Sequence, residues 1–215
     1  TDEYAQQLDK LSVALETSYS QMKGLDSSIG KLEFSQAIVN RIRIFYCNQT
    51  RTKHFLDKRV AQAGADFFVE TVLFFLKIFN EVEGLGFELS SERFIQRKRG
   101  SMRPDISIWN GSELIAIIEC KTQLGWSPGT WDKGFKHREA RLHKDFPEAK
   151  AFFLVLTGCN WGGFQSADPR VGEQLFCLLT EAWPAHLSEE FDPSIIQTPI
   201  EQLFQAIKNC PPAGI

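Results

Sequence analysis

"RPDISIWNGSELIAIIECKTQLGW", residues 103–126, decides how this chain is read. It begins with an aspartate after a proline, turns at "NGS", and continues as an apolar run that ends on Glu119, Cys120 and Lys121. "PDISIW" alternates with a period of two, placing Ile106 and Ile108 on one face and Asp105 and Ser107 on the other. Asn110–Gly111–Ser112 is a hairpin signal. Leu114–Lys121 is apolar on both faces and rich in isoleucine, as a central buried strand is. Alternation puts Glu119 and Lys121 on one face of that strand. Asp105 starts one arm of the hairpin and Glu119 ends the other, so they are expected to be cross-strand neighbours.

Such a cluster has two readings. It is an ordinary salt bridge at a strand end, or it is chemistry. Two close carboxylates repel unless a cation sits between them. Oxygen ligands without histidine or cysteine suit Mg²⁺, with the backbone carbonyl of Cys120 as a further ligand. A metal lowers the pKa of a bound water and polarises a phosphoryl group. Lys121 is then placed to serve the attacking water or to offset charge in the transition state.

Working outward, the upstream half reads as helices. Tyr4, Leu8, Leu11, Leu15, Tyr19 and Met22 recur every three or four residues and predict a helix over 3–22. Gly24 and Ser27–Ser28 punctuate it. A second helix is expected from Leu32 to Cys47, followed by a polar, basic stretch over 48–62. A third, from about Ala65 to Val82, is apolar nearly all round, so it belongs in a core, and Glu70 is expected to be buried inside it. Gly84 and Gly86 end it. Downstream, a strand is expected over Phe87–Arg97, a polar helix over Trp131–Asp145, and a buried strand at Ala151–Leu156. Helices over Val171–Trp183 and near Ile200–Ile207 close the chain. Helices followed by αβββαβα predict an α/β fold with a mixed sheet between helices. Residues 1–62 read as an N-terminal helical region, a cap or dimerisation element, and residues 63–215 as the core with C-terminal helices.

Pro104–Asp105, then Glu119–Cys120–Lys121 after a hairpin-sized gap, resemble the PD-(D/E)xK nuclease superfamily. The resemblance implies a restriction-endonuclease-like αβββαβ core over roughly residues 65–183. It also implies an additional acid from the helix before the sheet, here Glu70, as a catalytic residue and metal ligand. Gln123 would touch substrate or the metal's waters. The implied activity is Mg²⁺-dependent hydrolysis of a DNA phosphodiester, with Mn²⁺ as a substitute metal. A type II-like restriction endonuclease acting as a homodimer fits the small size. A repair, recombination or anti-phage nuclease, or an inactive nuclease-like binding module, are the rival readings.

The charge pattern bears on double-stranded DNA as the partner. Of 215 residues 43% are hydrophobic and 24% charged, and the net charge is −3, which excludes a uniformly basic coat but not a local basic cleft. "RFIQRKRGSMR" supplies Arg97, Lys98, Arg99 and Arg103. "WDKGFKHREARLHK" supplies Lys133, Lys136, Arg138 and Arg141. Both runs flank the site in sequence and offer phosphate contacts; each also fits a solvated face. Trp126 and Trp131 would stack on bases or pack their loop, and "NWGGF" at 160–164, at a sheet end, would reach DNA or, more simply, mark a tight turn. His54 has no motif around it. The five cysteines are scattered without a CxxC pair, so neither zinc nor a disulfide framework is expected. No signal peptide or membrane span is read, and a cytoplasm, of a bacterium or phage host, is the expected compartment.

Overall fold

A computed structural model describes residues 2–24, 33–125 and 128–210. These form five strands in one mixed sheet, flanked by helices. The strands are β1 (Glu88–Ser91), β2 (Ile106–Asn110), β3 (Glu113–Lys121), β4 (Lys150–Thr157) and β5 (Leu175–Leu179), and they lie side by side in chain order. β1, β2 and β3 are antiparallel; β3, β4 and β5 are parallel. The helices are α1 (Glu3–Asp9), α2 (Leu11–Lys23), α3 (Phe34–Phe55), α4 (Ala65–Val82), α5 (Trp131–Asp145) and α6 (Ile200–Lys208).

Strand alternation sorts the core into two layers. Ile106, Ile108, Ala116, Ile118, Phe152, Leu154, Phe176 and Leu178 point to the side where α3, α4 and α6 pack. Ile117, Phe153, Val155, Leu175 and Cys177 point the other way, toward Phe135 and Leu142 of α5. Burying each large side chain contributes roughly 1.5–3 kcal/mol, which is why α4 can be so apolar. Its Phe68, Val72, Phe75, Leu76 and Phe79 all lie inside. The helix stops where Gly84 takes a left-handed φ of 62°, with Leu85 N–H returning to Asn80 O and Gly84 N–H to Glu81 O.

The structure departs from the sequence-based expectations in several places. The segment Val171–Trp183 holds a strand, not a helix. A short continuous apolar run fits a buried strand or a buried helix alike, and LFCLL buries all five residues by feeding both layers in turn. The strand expected over Phe87–Arg97 spans only Glu88–Ser91; from Glu92, at φ 51°, the chain turns away. The helix expected to end at Cys47 continues to Phe55, through residues read as a polar stretch. The N-terminal helix is two, joined at Lys10; Leu15, Tyr19 and Met22 pack on the core, but Tyr4, Leu8 and Leu11 are exposed. Gly24 ends α2 as its C-cap; Ser27–Ser28, Leu32 and Trp126 lie outside the described residues.

Neither sheet edge is a long open strand. β1 is four residues long. The outer side of β5 is covered by residues 195–198, with Thr180 N–H bonding Ile195 O, Gln197 N–H Leu178 O and Thr198 N–H Cys177 O. Among the described residues no helix is long and apolar enough to cross a membrane.

Candidate active site

The NGS hairpin forms as a two-residue turn, with Gly111 at φ 59° and Asn110 opposite Glu113. A register shift between Ile108 and Trp109 leaves Ile115 and Ala116 on the same face. Beyond the shift, Ile106 pairs with Ile118, so Asp105 and Glu119 are the next positions on the two strands. Asp105 is fixed tightly. Its Oδ2 accepts the Cys120 N–H at 2.7 Å, and its carbonyl accepts from Ser91 Oγ at 2.8 Å and Glu92 N–H at 3.2 Å.

A cleft of 630 Å³ opens at this end of the sheet. Its walls are the first turns of α4 (Asp66, Glu70), the end of β1 (Ser91, Glu92), Asp105, and the tip of β3 (Lys121 to Gln123). Four carboxylates therefore face one lysine. An anionic substrate meets repulsion there unless cations enter with it.

Glu119 does not line that cleft. Its side chain is 4% exposed and turned toward α5, where Oε1 lies 2.5 Å from Nε of Arg138. The two atoms are close but not aligned as donor and acceptor, and both are buried without a hydrogen-bond partner among the described residues. Burial, helped by the neighbouring Asp105 charge, pushes the Glu119 carboxyl up to about 7, against the opposing pull of Arg138 and Lys121.

Glu70, expected to be buried, is exposed at the cleft wall: on an otherwise apolar helix the carboxylate takes the one side that reaches water. Its charge also acts on Arg41, whose guanidinium is half-buried over the rings of Phe74 and Phe75. Lys121 is exposed at the strand tip, and Gln123 is an exposed residue of the following loop within the cleft wall. Cys120 lines the cleft, and burial pushes its thiol well up, so it is inert.

The basic residues divide into two groups. The run 93–103 folds back on itself, with Ile95 and Met102 buried and Ile95 N–H bonding Met102 O. It then docks on α5: Lys98 pairs with Asp145 at 2.8 Å, Arg141 donates to Gly100 O and Arg138 to Arg103 O. Lys136 pairs with Asp132. Arg97, Arg99 and Lys133 are exposed and form no ion pair among the described residues, and Arg103 lies over the Phe94 ring. Trp131 packs inward on Phe153 and Phe164.

Sequence reasoning missed Asp66 and the inward role of Arg138. Asp66 stands four residues before Glu70, so both share one helix face, and that spacing was visible. Nothing in a basic helical run singles out the arginine that turns inward.

The site suits a divalent cation in one respect. Asp105, Glu119 and the Cys120 carbonyl are hard oxygen donors, although Glu119 Oε1 already lies 2.5 Å from the Arg138 guanidinium. No three His, Cys, Asp or Glu side chains are gathered as a ready-made metal group among the described residues. Mg²⁺ accommodates that, since it commonly keeps several waters and needs only one or two carboxylates. No protein-family model, curated protein or solved structure matches the chain.

Proposed function

We propose that the protein is a Mg²⁺-dependent DNA endonuclease of the PD-(D/E)xK type, built on a restriction-endonuclease-like core. The observation that supports this is the register Ile106–Ile118, which sets Asp105 and Glu119 at the next positions of the two chains, with Asp105 and Lys121 lining the cleft at that end of the sheet. The element order from α4 through β1–β3, α5 and β4 supports the same reading. Asp105 and the Cys120 carbonyl would hold the cation from the cleft side, Glu119 would join them by turning from Arg138, and Glu70 would add charge from the facing wall. When bound, Mg²⁺ supplies charge neutralisation and a bound water of lowered pKa. Lys121 donates a hydrogen bond to the attacking water or to a non-bridging phosphoryl oxygen and offsets charge on the pentavalent transition state. Asp105, held by the Cys120 N–H, keeps its carboxylate aimed while substrate arrives. Double-stranded DNA is the substrate in this reading, and a homodimer of the type II-like restriction class would cut both strands.

The test is incubation with supercoiled plasmid in Mg²⁺ or Mn²⁺. Linear or nicked product that disappears with Lys121→Ala is expected. Discrete bands mark a sequence-specific enzyme; nicking alone marks a structure-specific repair or defence nuclease. No cleavage of duplex or single-stranded DNA in either metal would overturn the reading. The Arg138–Glu119 pair favours one rival, a nuclease-like module that binds without cutting, because an arginine already satisfies part of the charge that a metal would meet.

A further inference from the structure

The far end of α3 carries a surface that the cleft does not explain. Phe55 is 88% exposed, Leu56 55% and Val60 66%. Arg51, Lys53, His54, Lys58 and Arg59 stand among them against a single acid, Asp57, in a chain whose net charge is −3. None of these basic side chains forms an ion pair among the described residues. Cations at a helix C-terminus offset its free carbonyls, which accounts for Lys53. It does not account for three large apolar side chains in water beside them.

The tip is also a built element. Lys58 N–H bonds Lys53 O at 2.9 Å and Asp57 N–H bonds His54 O, the pattern that closes a helix through a left-handed residue. Asp57, at φ 50°, takes the position that glycine usually fills. The other end of the connection is pinned at Gly64, where a Cβ would fall 2.5 Å from Tyr46 Oη, and Phe45 stacks on Phe67 at 4.4 Å alongside. Residues 56–64 are thus tied to the body at both ends. Arg59 is six residues from Ala65, a cleft-lining residue, so the chain keeps it within about 20 Å of the rim. A DNA duplex completes a turn in about 34 Å, which is longer than that separation.

We propose that residues 51–60 form a second duplex-DNA contact, in which Arg51, Lys58 and Arg59 take backbone phosphates and Phe55 lies as a wedge in the groove between them. The inference rests on the nuclease reading for the placement of DNA. Phosphate charge complements the unpaired cations, and an apolar wedge against base steps gives the exposed phenylalanine a partner.

The test uses the full chain and a labelled duplex of about 30 base pairs, followed by fluorescence anisotropy in EDTA. Lys58→Ala with Arg59→Ala, and Phe55→Ala separately, alter only exposed side chains; circular dichroism melts confirm the fold. At about 0.15 M salt each lost phosphate contact weakens binding on the order of fivefold, so the double variant is expected to lose about 25-fold and its salt slope to fall by about 1.8. Phe55→Ala is expected to weaken binding with the slope unchanged, and Phe55→Trp to restore it. Wild-type affinity and slope in every variant, with wild type binding and cutting DNA, would overturn this inference and leave the nuclease reading standing. Tip-dependent duplex binding without any cleavage would uphold the contact and sink the nuclease. Tip-dependent binding to phosphatidylserine vesicles, with duplex binding indifferent to the tip, would mark a membrane surface instead and overturn the proposal.

Discussion

Glu119 Oε1 and Arg138 Nε lie 2.5 Å apart, buried, and without a hydrogen bond between them. A buried ion pair recovers its desolvation cost only when geometry and hydrogen bonding are good. This pair has proximity without good alignment, so it holds Glu119 in place and meets part of the charge that a cation would neutralise. Removing one partner of a buried pair typically costs about 3–5 kcal/mol, with Arg138, at 39% exposed, standing toward the lower end. Arg138→Ala is expected to melt several degrees lower in EDTA. It should also gain more from millimolar Mg²⁺ than wild type does, because the cation then takes the place of the guanidinium. Differential scanning fluorimetry with and without Mg²⁺ checks this; equal metal shifts in both proteins would show that Arg138 does not compete for the site.

The raised Glu119 carboxyl makes stability depend on pH in metal-free buffer. Its folded value, about 7, lies above the ordinary 4.5. The sign follows: the neutral form is favoured by folding, so that contribution is full below about pH 4.5 and is lost as pH rises through 7, on the order of a few kcal/mol. Glu119→Gln stays neutral throughout and should lack this loss. Urea unfolding of both proteins at pH 5 and pH 8 measures it, and a Gln variant no more stable relative to wild type at pH 8 than at pH 5 would contradict it.

Metal holding and bond cleavage are separable at Asp105 and Lys121. Asp105→Asn can still accept the Cys120 N–H, so the hairpin keeps its end, but it loses a charge on the cation. It is expected to lose both the Mg²⁺-induced rise in melting temperature and DNA cleavage. Lys121→Ala, at an exposed tip, should keep the first and lose about 10²–10⁴-fold in the second. Loss of metal response in Lys121→Ala, or cleavage retained in Asp105→Asn, would reverse these roles.

Gly158 sets the exit from β4. A Cβ there would meet Thr180 O at 1.9 Å and Gly163 N at 2.6 Å, backbone atoms that cannot turn aside. Gly158 N–H bonds Leu179 O, so a shift would also strain β5. Gly158→Ala is expected to cost on the order of 3 kcal/mol, read from a chemical-denaturation midpoint. A midpoint within error of wild type would mean that the turn yields more readily than its contacts suggest.

Much of this arrangement was visible before any coordinates. Period-two alternation and the NGS turn set Asp105 and Glu119 at adjoining positions of the hairpin, but they did not reveal that Glu119 turns to Arg138 while Asp105 and Lys121 line the cleft. The all-round apolar character of α4 marked it as a core helix. What escaped was tertiary in origin. LFCLL reads alike as helix or strand, and only its two-sided packing decides. Glu70 sits among phenylalanines in sequence, yet one narrow side of α4 faces the cleft. Arg138 and Arg141 look like a phosphate-binding face, but one turns to Glu119 and the other holds the carbonyl of Gly100. Local charge cannot tell an arginine that waits for DNA from one that serves its own chain.

The short β1 and the segment laid along β5 also limit how copies of this protein can come together. Among the described residues neither margin offers a long free backbone ladder, so recruiting a further strand to extend the sheet is disfavoured. Helices and loops are then the larger surfaces on offer for self-association, and this part of the fold is guarded against the strand-to-strand polymerisation that open sheets invite.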